Sequence, residues 1–516
     1  MTSIAIIGSG IIGAILAHRL TEAGFTIEVF EKGPAYPYPH GPQFQARHVH
    51  LDPNFDAPYH PPETVKNSTQ DGLPFAVEGE RFMRVGGSAT VWEAITIRMT
   101  PPDFKPRTLF GYGDDWPIDY DDVEPYYGEA ERLLGVSGTD QDNPFAPPRS
   151  SPYPLPPFAL AYDDQILAER LLSDDIVLHS TPQARTRLPY DGRAGCANYG
   201  TCRQCPIAVR YSPQHHLNRA LASERCTLHT ETSVRRILLD ADGRARGLLT
   251  NDGSGDVERG FDRVIVAAGA LESARLLLLS SDDRYPDGLG NAGGQVGRGL
   301  AFHNVWTGRM RYDEDLYPFR FGGWTGQSLQ FLNAETRGQH AALKVEFASR
   351  RAYDPQLTWG DLDDLHAALQ PQLQWRPIVL QSETFSTPER YVTLSTQTDR
   401  YDDPFAHVHY RLHDFDAATY DFARSVFDRF VRSTRAVQSE MPPIDWYTSG
   451  SHHMGTCRMG DSAETSVTDS FGAVHGHAGL YLAGGSVFVG SGGASNPTLT
   501  MLALALRTAD YVIDAG

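Results

Sequence analysis

Residues 3–33 of this chain read SIAIIGSGIIGAILAHRLTEAGFTIEVFEKG. The apolar run at residues 4–7 predicts a buried parallel strand, and a helical pattern follows it through Ala23. A second strand is predicted at residues 27–30, and it ends at Glu31. A strand, a helix and a second strand in this order are typical of the start of a doubly wound α/β fold.

The turn between the first strand and the helix carries three glycines in the spacing G-x-G-x-x-G. Gly8 permits the tight turn, Gly10 lets the backbone approach a pyrophosphate, and Gly13 lets the helix pack closely on the strand. The N-terminus of the helix offers free N–H groups and a positive dipole end to phosphate. Glu31 lies about twenty residues further on, where a carboxylate accepts a hydrogen bond from a ribose hydroxyl. The stretch predicts a dinucleotide site, but it does not distinguish NAD from FAD.

Length and charge limit the class of the protein. A chain of 516 residues is long enough for two or three domains. The net charge of -19 argues against nucleic acid and anionic membrane surfaces as partners. No basic residue precedes the apolar residues 4–17 and no stretch predicts a transmembrane helix, so we expect a mature N-terminus, no membrane insertion and a cytoplasmic location. The 5 cysteines do not suggest a disulfide framework.

Two further segments extend the predicted nucleotide site. A Gly-Gly-Ser sequence at residues 86–88 would let the backbone lie flat against a planar or phosphate-bearing group. A buried strand within residues 263–270 ends in Ala-Ala-Gly, which lets the backbone crowd a ligand, and a helix follows at residues 271–279. Because these segments lie far from residues 3–33, the nucleotide-binding domain is predicted to be discontinuous.

The remaining pattern predicts an inserted layer of antiparallel sheet with helices. Alternating residues predict strands around a turn at 240–243, and later strands at 343–347, 379–385, 391–397 and 407–412, with a helix at 417–437. The predicted fold class is α/β, with a Rossmann-like domain of mostly parallel sheet and an inserted substrate domain. The predicted boundaries are 1–35, 78–110, 205–304 and 455–516 for the nucleotide-binding domain, 36–77 for a lid or loop region, 111–204 for a connector with Pro-rich and Cys-rich segments, and 305–454 for the substrate domain.

The order of the motifs resembles that of the glucose-methanol-choline (GMC) flavoprotein oxidoreductases over nearly the whole chain. Besides the segments above, the resemblance rests on residues 452–460 (HHMGTCRMG) and 495–500 (SNPTLT). It implies FAD rather than NAD as the cofactor. The residues that it places at the cofactor are Gly8, Gly10, Gly13, Glu31, Gly86, Gly87, Ser88, Thr90, Val234, Ala268, Gly269, Gly485, Pro497 and Thr498.

Two branches of the family are similar to different parts of the chain. Residues 481–485 and 494–500 look like pyranose oxidases and glycoside 3-oxidases. Residues 115–135, 152–157 and 189–193 look equally like the catalytic subunits of bacterial gluconate and sugar dehydrogenases. Both resemblances imply a sugar or glycoside substrate, whose secondary ring hydroxyl is oxidised to a ketone while electrons pass to oxygen or another acceptor.

This chemistry removes a hydroxyl proton and passes a hydride from carbon to flavin N5. A neutral imidazole suits the first step, because the ordinary pKa of histidine lies near neutrality. The resemblance assigns this role to His452, with His453 as the neighbouring alternative, and assigns to Asn496 the partner that holds the substrate oxygen. Asn followed by Pro is also typical of a helix N-cap with Pro at the first helical position, and both roles can hold for Asn496.

One departure from the family bears on how FAD is held. Fungal pyranose oxidases bind FAD covalently through a His that stands between Thr and Trp. Here the corresponding residues are Thr90, Val91 and Trp92. Because valine cannot form that bond, we expect non-covalent FAD.

A cysteine cluster leaves a second function open. Cys196, Cys202 and Cys205 lie where the sugar dehydrogenase subunits hold a three-iron cluster, but they are fewer than four ligands and their spacing differs. We therefore favour buried thiols and predict no metal. The alternative is the catalytic subunit of a multi-subunit dehydrogenase with an Fe–S cluster and a redox partner subunit. A second alternative is a non-redox lyase in which the flavin is structural, and a homo-oligomer is also left open.

Overall fold

The structure is a computed structural model that describes residues 2–36, 68–198, 205, 207–316, 323–348 and 373–515. Its helices α1 to α8, in chain order, are Ile11–Glu22, Pro106–Phe110, Tyr120–Leu134, Tyr162–Leu172, Gln214–Ala222, Gly269–Leu279, Asp414–Thr434 and Thr498–Asp514. Strands β1 to β17 are Ser3–Ile7, Thr26–Phe30, Ser68–Asp71, His179–Ser180, Cys226–His229, Ser233–Leu239, Ala245–Asn251, Asp256–Gly260, Arg263–Val266, Asn304–Arg311, Trp324–Ser328, Leu343–Ala348, Trp375–Ser382, Tyr391–Thr398, Pro404–His409, Gln438–Glu440 and Leu480–Leu482. Among the described helices, none combines the length and apolar character that crossing a membrane requires.

A five-stranded parallel sheet in the order β17-β9-β1-β2-β5 forms the Rossmann-like core. β1 lies at its centre, where Ile4 pairs with Ile27 of β2 on one side and with Arg263 of β9 on the other. Both neighbours and β1 itself are rich in buried β-branched residues, as expected for a sheet covered on both faces. The parallel strands present their carboxyl ends at one edge, which is the ligand-binding edge of such folds. The predicted fold class is confirmed.

A six-stranded antiparallel sheet in the order β16-β10-β13-β12-β11-β4 forms the second layer. The apolar face of α7 packs on it, with Phe427 and Phe430 in the same buried cluster as Trp306 and Phe347. Two three-stranded sheets, β14-β15-β3 and β6-β7-β8, complete the described architecture. The six-stranded sheet carries one wall of the cavity described below.

Several predicted elements agree with the structure to within a few residues. The hairpin β6–β7 surrounds the predicted turn at 240–243, and α3 ends at Leu134, where Gly135 has φ +64°. The predicted helix at 417–437 is α7 at 414–434, because His413 and Asp416 form a capping box that starts it earlier. β13 begins at Trp375, several residues before the predicted strand.

Other elements differ from prediction because their partners are distant in sequence. β3 falls in the region predicted as a lid or loop, and it pairs in parallel with β15. β4 falls in the predicted connector, and it pairs with β11. A four-residue and a two-residue strand have too little local pattern to be recognised before their partners are known. Residues 37–67 of the predicted lid lie outside the described residues, and the domain boundaries themselves stay predictions.

Candidate active site

One continuous cavity of about 910 Å³ joins the carboxyl edge of the parallel sheet to the six-stranded sheet. Its size lies within the range of about 300–1,000 Å³ for ligand and cofactor sites. The structure brings most of the predicted site residues to its wall: Gly8, Gly10, Glu31, Gly87, Ser88, Val91, Val234, Ala268, Gly269, His452, Gly485, Asn496, Pro497 and Thr498. Gly13, Gly86 and Thr90 do not line it.

The three glycines of the N-terminal turn have different surroundings. A Cβ at Gly8, whose φ is +103°, would lie 2.6 Å from the carbonyl oxygen of Ala267. A Cβ at Gly13 would lie 1.9 Å from the carbonyl oxygen of Gly8, so α1 packs directly on the turn. A Cβ at Gly10 would meet no atom of the described residues within 4 Å, its chain neighbours aside, and would instead occupy the cavity. Gly8 and Gly13 therefore shape the turn, and Gly10 leaves space for a ligand.

Glu31 is a buried carboxylate at the end of β2. Its Oε2 accepts hydrogen bonds from the backbone N–H and the hydroxyl of Ser9, at 3.2 and 2.6 Å, and its Oε1 accepts one from the Gly33 N–H at 2.9 Å. Burial raises the pKa of this carboxyl, and the hydrogen bonds act in the opposite direction. Glu31 is thus fixed at the cavity wall beside the start of α1, whose free N–H groups no described side chain caps.

The Gly-Gly turn lies against the N-terminal glycine turn. Gly86 and Gly87 both have positive φ, +90° and +55°, and a Cβ at Gly87 would lie 3.3 Å from the Cα of Gly10. The hydroxyl of Thr90 donates to the carbonyl of Gly87 at 2.7 Å and accepts from the guanidinium of Arg84 at 3.0 Å. Thr90 and Gly86 therefore hold the shape of the turn, while Gly87 faces the cavity.

Two more helix N-termini meet the same cavity. α6 follows Ala268 and α8 follows Pro497, and neither start has a cap from a side chain that the structure describes. The predicted capping role of Asn496 is therefore wrong in this structure. Its side-chain oxygen is occupied by the ammonium group of Lys344 instead, which explains why it does not bond the helix start.

His452 and His303 form a hydrogen-bonded pair, with 2.8 Å between their Nδ1 atoms. The Nε2 of His303 lies 3.0 Å from the carbonyl oxygen of Gly493, which can only accept, so this nitrogen carries the proton. In a neutral His303 the Nδ1 is then an acceptor, and His452 must donate from its own Nδ1. The Nε2 of His452 is left with a lone pair, which is the state that a general base requires.

The pKa values of both histidines support the neutral form. Burial, followed by the charge of Lys344, lowers the pKa of His303 to about 3. Burial also holds the pKa of His452 well below its ordinary value, with smaller contributions from His303, Lys344 and His453. An unprotonated pair is therefore maintained at neutral pH.

Asn496 lies beside the base nitrogen of His452. Its Nδ2 is 3.4 Å from the His452 Nε2, and its Oδ1 accepts a hydrogen bond from the Lys344 ammonium group. Lys344 also pairs with Glu346, at 2.5 Å between Nζ and Oε1, and both side chains are buried. Because an ammonium group cannot accept, the amide must turn its NH2 group toward His452. His452 and Asn496 thus present a hydrogen-bond acceptor and a donor side by side.

His453 occupies a different position. Its Nε2 lies 3.0 Å from a carboxylate oxygen of Glu80, which also accepts from the hydroxyl of Ser449. Both histidines line the cavity, but only His452 contacts Asn496. The geometry favours His452 over His453 as the base.

The cysteine cluster is only partly described. Cys205 is buried, and the sulfur of Cys196 accepts hydrogen bonds from the guanidinium of Arg185, the shorter at 2.7 Å. Cys202 lies outside the described residues. The interpretation of buried thiols and the Fe–S alternative therefore both stay predictions.

Sequence reasoning missed His303, Lys344, Glu346 and Glu80. The signal at residues 343–347 is a clean alternation of apolar and charged residues, which is typical of a strand with one face in water. Here the charged face is buried too, against the cavity. His303 and Glu80 stand in no pattern that the sequence alone distinguishes.

Comparison with known proteins gives the same architecture. The GMC oxidoreductase models match residues 184–305 and 386–505, and an NAD(P)-binding Rossmann-like domain model matches residues 6–36. The solved structure of pyridoxine 4-oxidase from Mesorbium loti superimposes with a TM-score of 0.66 at 16% identity, and covers 99% of each chain. At that identity the likeness concerns the fold.

Two characterised relatives align over almost the full length. The fructose dehydrogenase large subunit of Gluconobacter japonicus is 27% identical over 99% of this chain and 97% of its own. A C-glycoside 3-oxidase of Microbacterium trichothecenolyticum is 26% identical over 99% and 96%. The family matches fall in the order that the sequence motifs predicted, on a Rossmann-like core with an antiparallel second layer. The chain belongs to the GMC oxidoreductase family.

Proposed function

We propose that the protein oxidises a secondary ring hydroxyl of a sugar or glycoside to a ketone, with His452 as the base and FAD held non-covalently. The observation that carries the proposal is the pair formed by the His452 Nε2 and the Asn496 Nδ2, 3.4 Å apart in the cavity that also contains the dinucleotide turn. GMC oxidoreductases use FAD, which would supply the hydride acceptor and then pass the electrons to oxygen or another acceptor.

The chain has the features that FAD would need. Gly10 and Gly269 both line the cavity, and in the part of the chain that the structure describes a Cβ at either position would meet no atom within 4 Å besides its chain neighbours. The uncapped start of α1 would face the pyrophosphate, and Glu31 would accept from the adenosine ribose. The uncapped start of α8, after Pro497, would place a positive dipole end near the flavin. Val91 lines the cavity without offering an atom for a covalent bond.

Next to the residues that would hold FAD, His452 and Asn496 would bind and deprotonate the alcohol. The substrate hydroxyl would donate to the His452 Nε2, and its oxygen would accept from the Asn496 amide. The hydroxyl proton would move to the His452 Nε2 while the C–H hydrogen leaves the carbon as a hydride for the flavin, and the His452 Nδ1–H would stay bonded to His303. The cavity wall here includes Thr307, Glu346 and Gln381, which suits a polyhydroxyl substrate. The names of the two relatives, a fructose dehydrogenase subunit and a C-glycoside oxidase, support a sugar or glycoside.

The test is an anaerobic screen of sugars, glycosides and simple alcohols, in which bleaching of the oxidised flavin spectrum is followed. We expect sugars or glycosides to bleach it, and we expect His452→Ala to slow bleaching by about 100- to 10,000-fold without loss of bound FAD. His453→Ala, the matched control, should slow bleaching much less. Bleaching by non-sugar alcohols alone would refute the substrate class. A flavin that no alcohol bleaches would favour the lyase alternative.

A second candidate is the catalytic subunit of a multi-subunit sugar dehydrogenase. The relative from Gluconobacter japonicus is named as a large subunit, and Cys196 and Cys205 lie in the segment where a cluster would be held. Iron and sulfide analysis of the purified protein tests this candidate, together with absorption beyond the flavin bands. Iron at less than one atom per chain in anaerobically purified protein would count against it.

A further inference from the structure

The outer face of the three-stranded sheet β14-β15-β3 carries two histidines and a carboxylate in register. His407 and His409 are two residues apart on β15, so their side chains share a face. Asp71 of β3 pairs directly with His409. The alternate residues of β15, Ala406 and Val408, are buried in the core. The sheet therefore holds these three side chains together on its solvent side.

The three side chains converge. One potential ligand atom from each lies within 4.8 Å of the other two, and the His409 Nδ1 is 3.1 Å from a carboxylate oxygen of Asp71. Two such atoms bound to one zinc ion at about 2.0–2.1 Å each would lie at a similar separation. Small rotations of the His407 and Asp71 side chains would bring all three ligand atoms to bonding distance from one zinc ion. Such rotations are open to them, since Asp71 is exposed and His407 is partly exposed.

Two threonine hydroxyls orient the imidazoles. The Thr69 hydroxyl lies 2.6 Å from the His407 Nδ1, and the Thr393 hydroxyl lies 3.1 Å from the His409 Nε2. Each ring thus has one nitrogen held by a hydroxyl, while its other nitrogen is left for a metal. This is the arrangement of outer partners that fixes histidine ligands in metal sites.

We propose that His407, His409 and Asp71 bind a Zn²⁺ ion, with water in the remaining coordination position. Two imidazole nitrogens and one carboxylate oxygen are a ligand set that zinc accepts. The site is separate from the proposed active site, because none of its three ligands lines the cavity.

The ion would tie β3 to β15 and thereby hold part of the cavity wall. β3 is followed by a 3₁₀ helix at Val77–Glu80, and the Gln70 side chain of β3 accepts from the Val77 N–H at 2.8 Å. Glu80, at the end of that helix, lines the cavity and bonds His453. Zinc is therefore expected to stabilise the fold and the position of Glu80, without a chemical role.

The test uses the flavin-loaded full chain, freed of metal by a chelator and titrated with Zn²⁺ against a chromophoric competitor. We expect one Zn²⁺ per chain and a rise in the apparent Tm that chelator reverses. Thr69→Val and Thr393→Val should each weaken binding by about 10- to 100-fold, the usual effect of losing an outer partner. His409→Gln should weaken it at least as much.

The matched control is His229→Gln, which removes a histidine that lies 2.8 Å from a carboxylate, that of Glu28, in another sheet. It should leave the Zn²⁺ affinity unchanged. If the wild type, His409→Gln and His229→Gln bind Zn²⁺ equally, the ion is held adventitiously and the proposal is wrong. Asp71→Asn gives an independent answer if His409→Gln does not fold, because Asp71 is exposed and its loss removes no core contact.

Discussion

His303 lies with its Nδ1 atom 2.8 Å from the Nδ1 atom of His452, and its other ring nitrogen faces the carbonyl of Gly493 at 3.0 Å. These two hydrogen bonds, from the Gly493 carbonyl through His303 to His452, allow one consistent arrangement of protons when both rings are neutral. That arrangement leaves the lone pair on the His452 Nε2. A residue that does not line the cavity thus determines which nitrogen of the proposed base is free.

Replacement of His303 is therefore predicted to affect the chemical step more than substrate binding. Leucine at this position cannot accept from the His452 Nδ1, so the base can adopt the inactive tautomer. We expect His303→Leu to lower kcat by about 100- to 10,000-fold with little change in KM or FAD content. His303→Gln is the matched variant, because its amide can donate to Gly493 and accept from His452. Equal activity of the two variants would show that tautomer selection is unimportant.

Lys344 is predicted to act through the orientation of Asn496. Lys344→Met alone would leave Glu346 buried without its partner, a defect that costs about 3–5 kcal/mol of stability. The informative comparison is Lys344→Met/Glu346→Gln against the wild type, since the double variant leaves neither charge buried without its partner. We expect kcat/KM to be about ten- to a hundredfold lower in the double variant, because a hydrogen bond to a charged group contributes about 1.5–3 kcal/mol. Equal kcat/KM values for the double variant and the wild type would show that Lys344 does not act through Asn496.

The difference between Lys344 and Gly10 shows what the sequence could and could not predict. Gly10 stands in a local motif whose spacing follows from the turn and the helix start, so its place in the cavity was predictable. The position of His452 and Asn496 at the cavity was predictable through a family resemblance, because both residues stand in motifs of that family, at residues 452–460 and 495–500. Lys344 and Glu346 alternate with apolar residues, and the pattern does not show that both faces of β12 are covered. Contacts such as β3 with β15 depend on pairings across hundreds of residues, which short-range patterns cannot encode.

Gly10→Val should reduce FAD binding while the fold is kept. The new side chain would enter the cavity, because among the described residues, apart from its chain neighbours, no atom lies within 4 Å of the Cβ position. We expect the purified variant to lose most of its FAD on gel filtration and to keep its far-UV circular dichroism. Gly260→Val, on a strand outside the cavity, is the control and should retain FAD. Gly13→Ala should instead disturb folding, since its Cβ would lie 1.9 Å from the Gly8 carbonyl oxygen. A Gly10→Val protein that keeps its full content of bound FAD would contradict the proposed FAD site.

FAD is predicted to leave the protein on denaturation. Val91 lines the cavity at the place where a covalently linked histidine would be required, and a valine side chain has no atom that can form the bond. Acid or detergent precipitation should release all of the yellow colour into the supernatant. Flavin fluorescence that stays on the denatured polypeptide in gel electrophoresis would show that another residue forms the link.

Three buried histidines predict that stability falls on mild acidification. Burial lowers the pKa of His303 and of His216 to about 3, and that of His179 to about 4, while the unfolded chain titrates near its ordinary value of about 6.5. Between pH 6.5 and these lower values, the unfolded state binds protons that the folded state does not, so the free energy of unfolding decreases as pH falls. Each histidine contributes up to about 1.4 kcal/mol per pH unit in this window.

The measurement is the urea midpoint of the FAD-saturated protein between pH 7.5 and 5, a range above the titration of ordinary carboxylates. His216 is the histidine to replace, because it does not line the cavity and its Nδ1 lies 2.8 Å from the Tyr211 hydroxyl, a contact that an amide can preserve. His216→Gln should therefore show a smaller loss of stability per pH unit than the wild type. If the wild type and His216→Gln lose the same stability per pH unit from pH 7 to 5, His216 does not stay neutral in the folded protein over this range, and the neutral His303–His452 pair would then be in doubt as well.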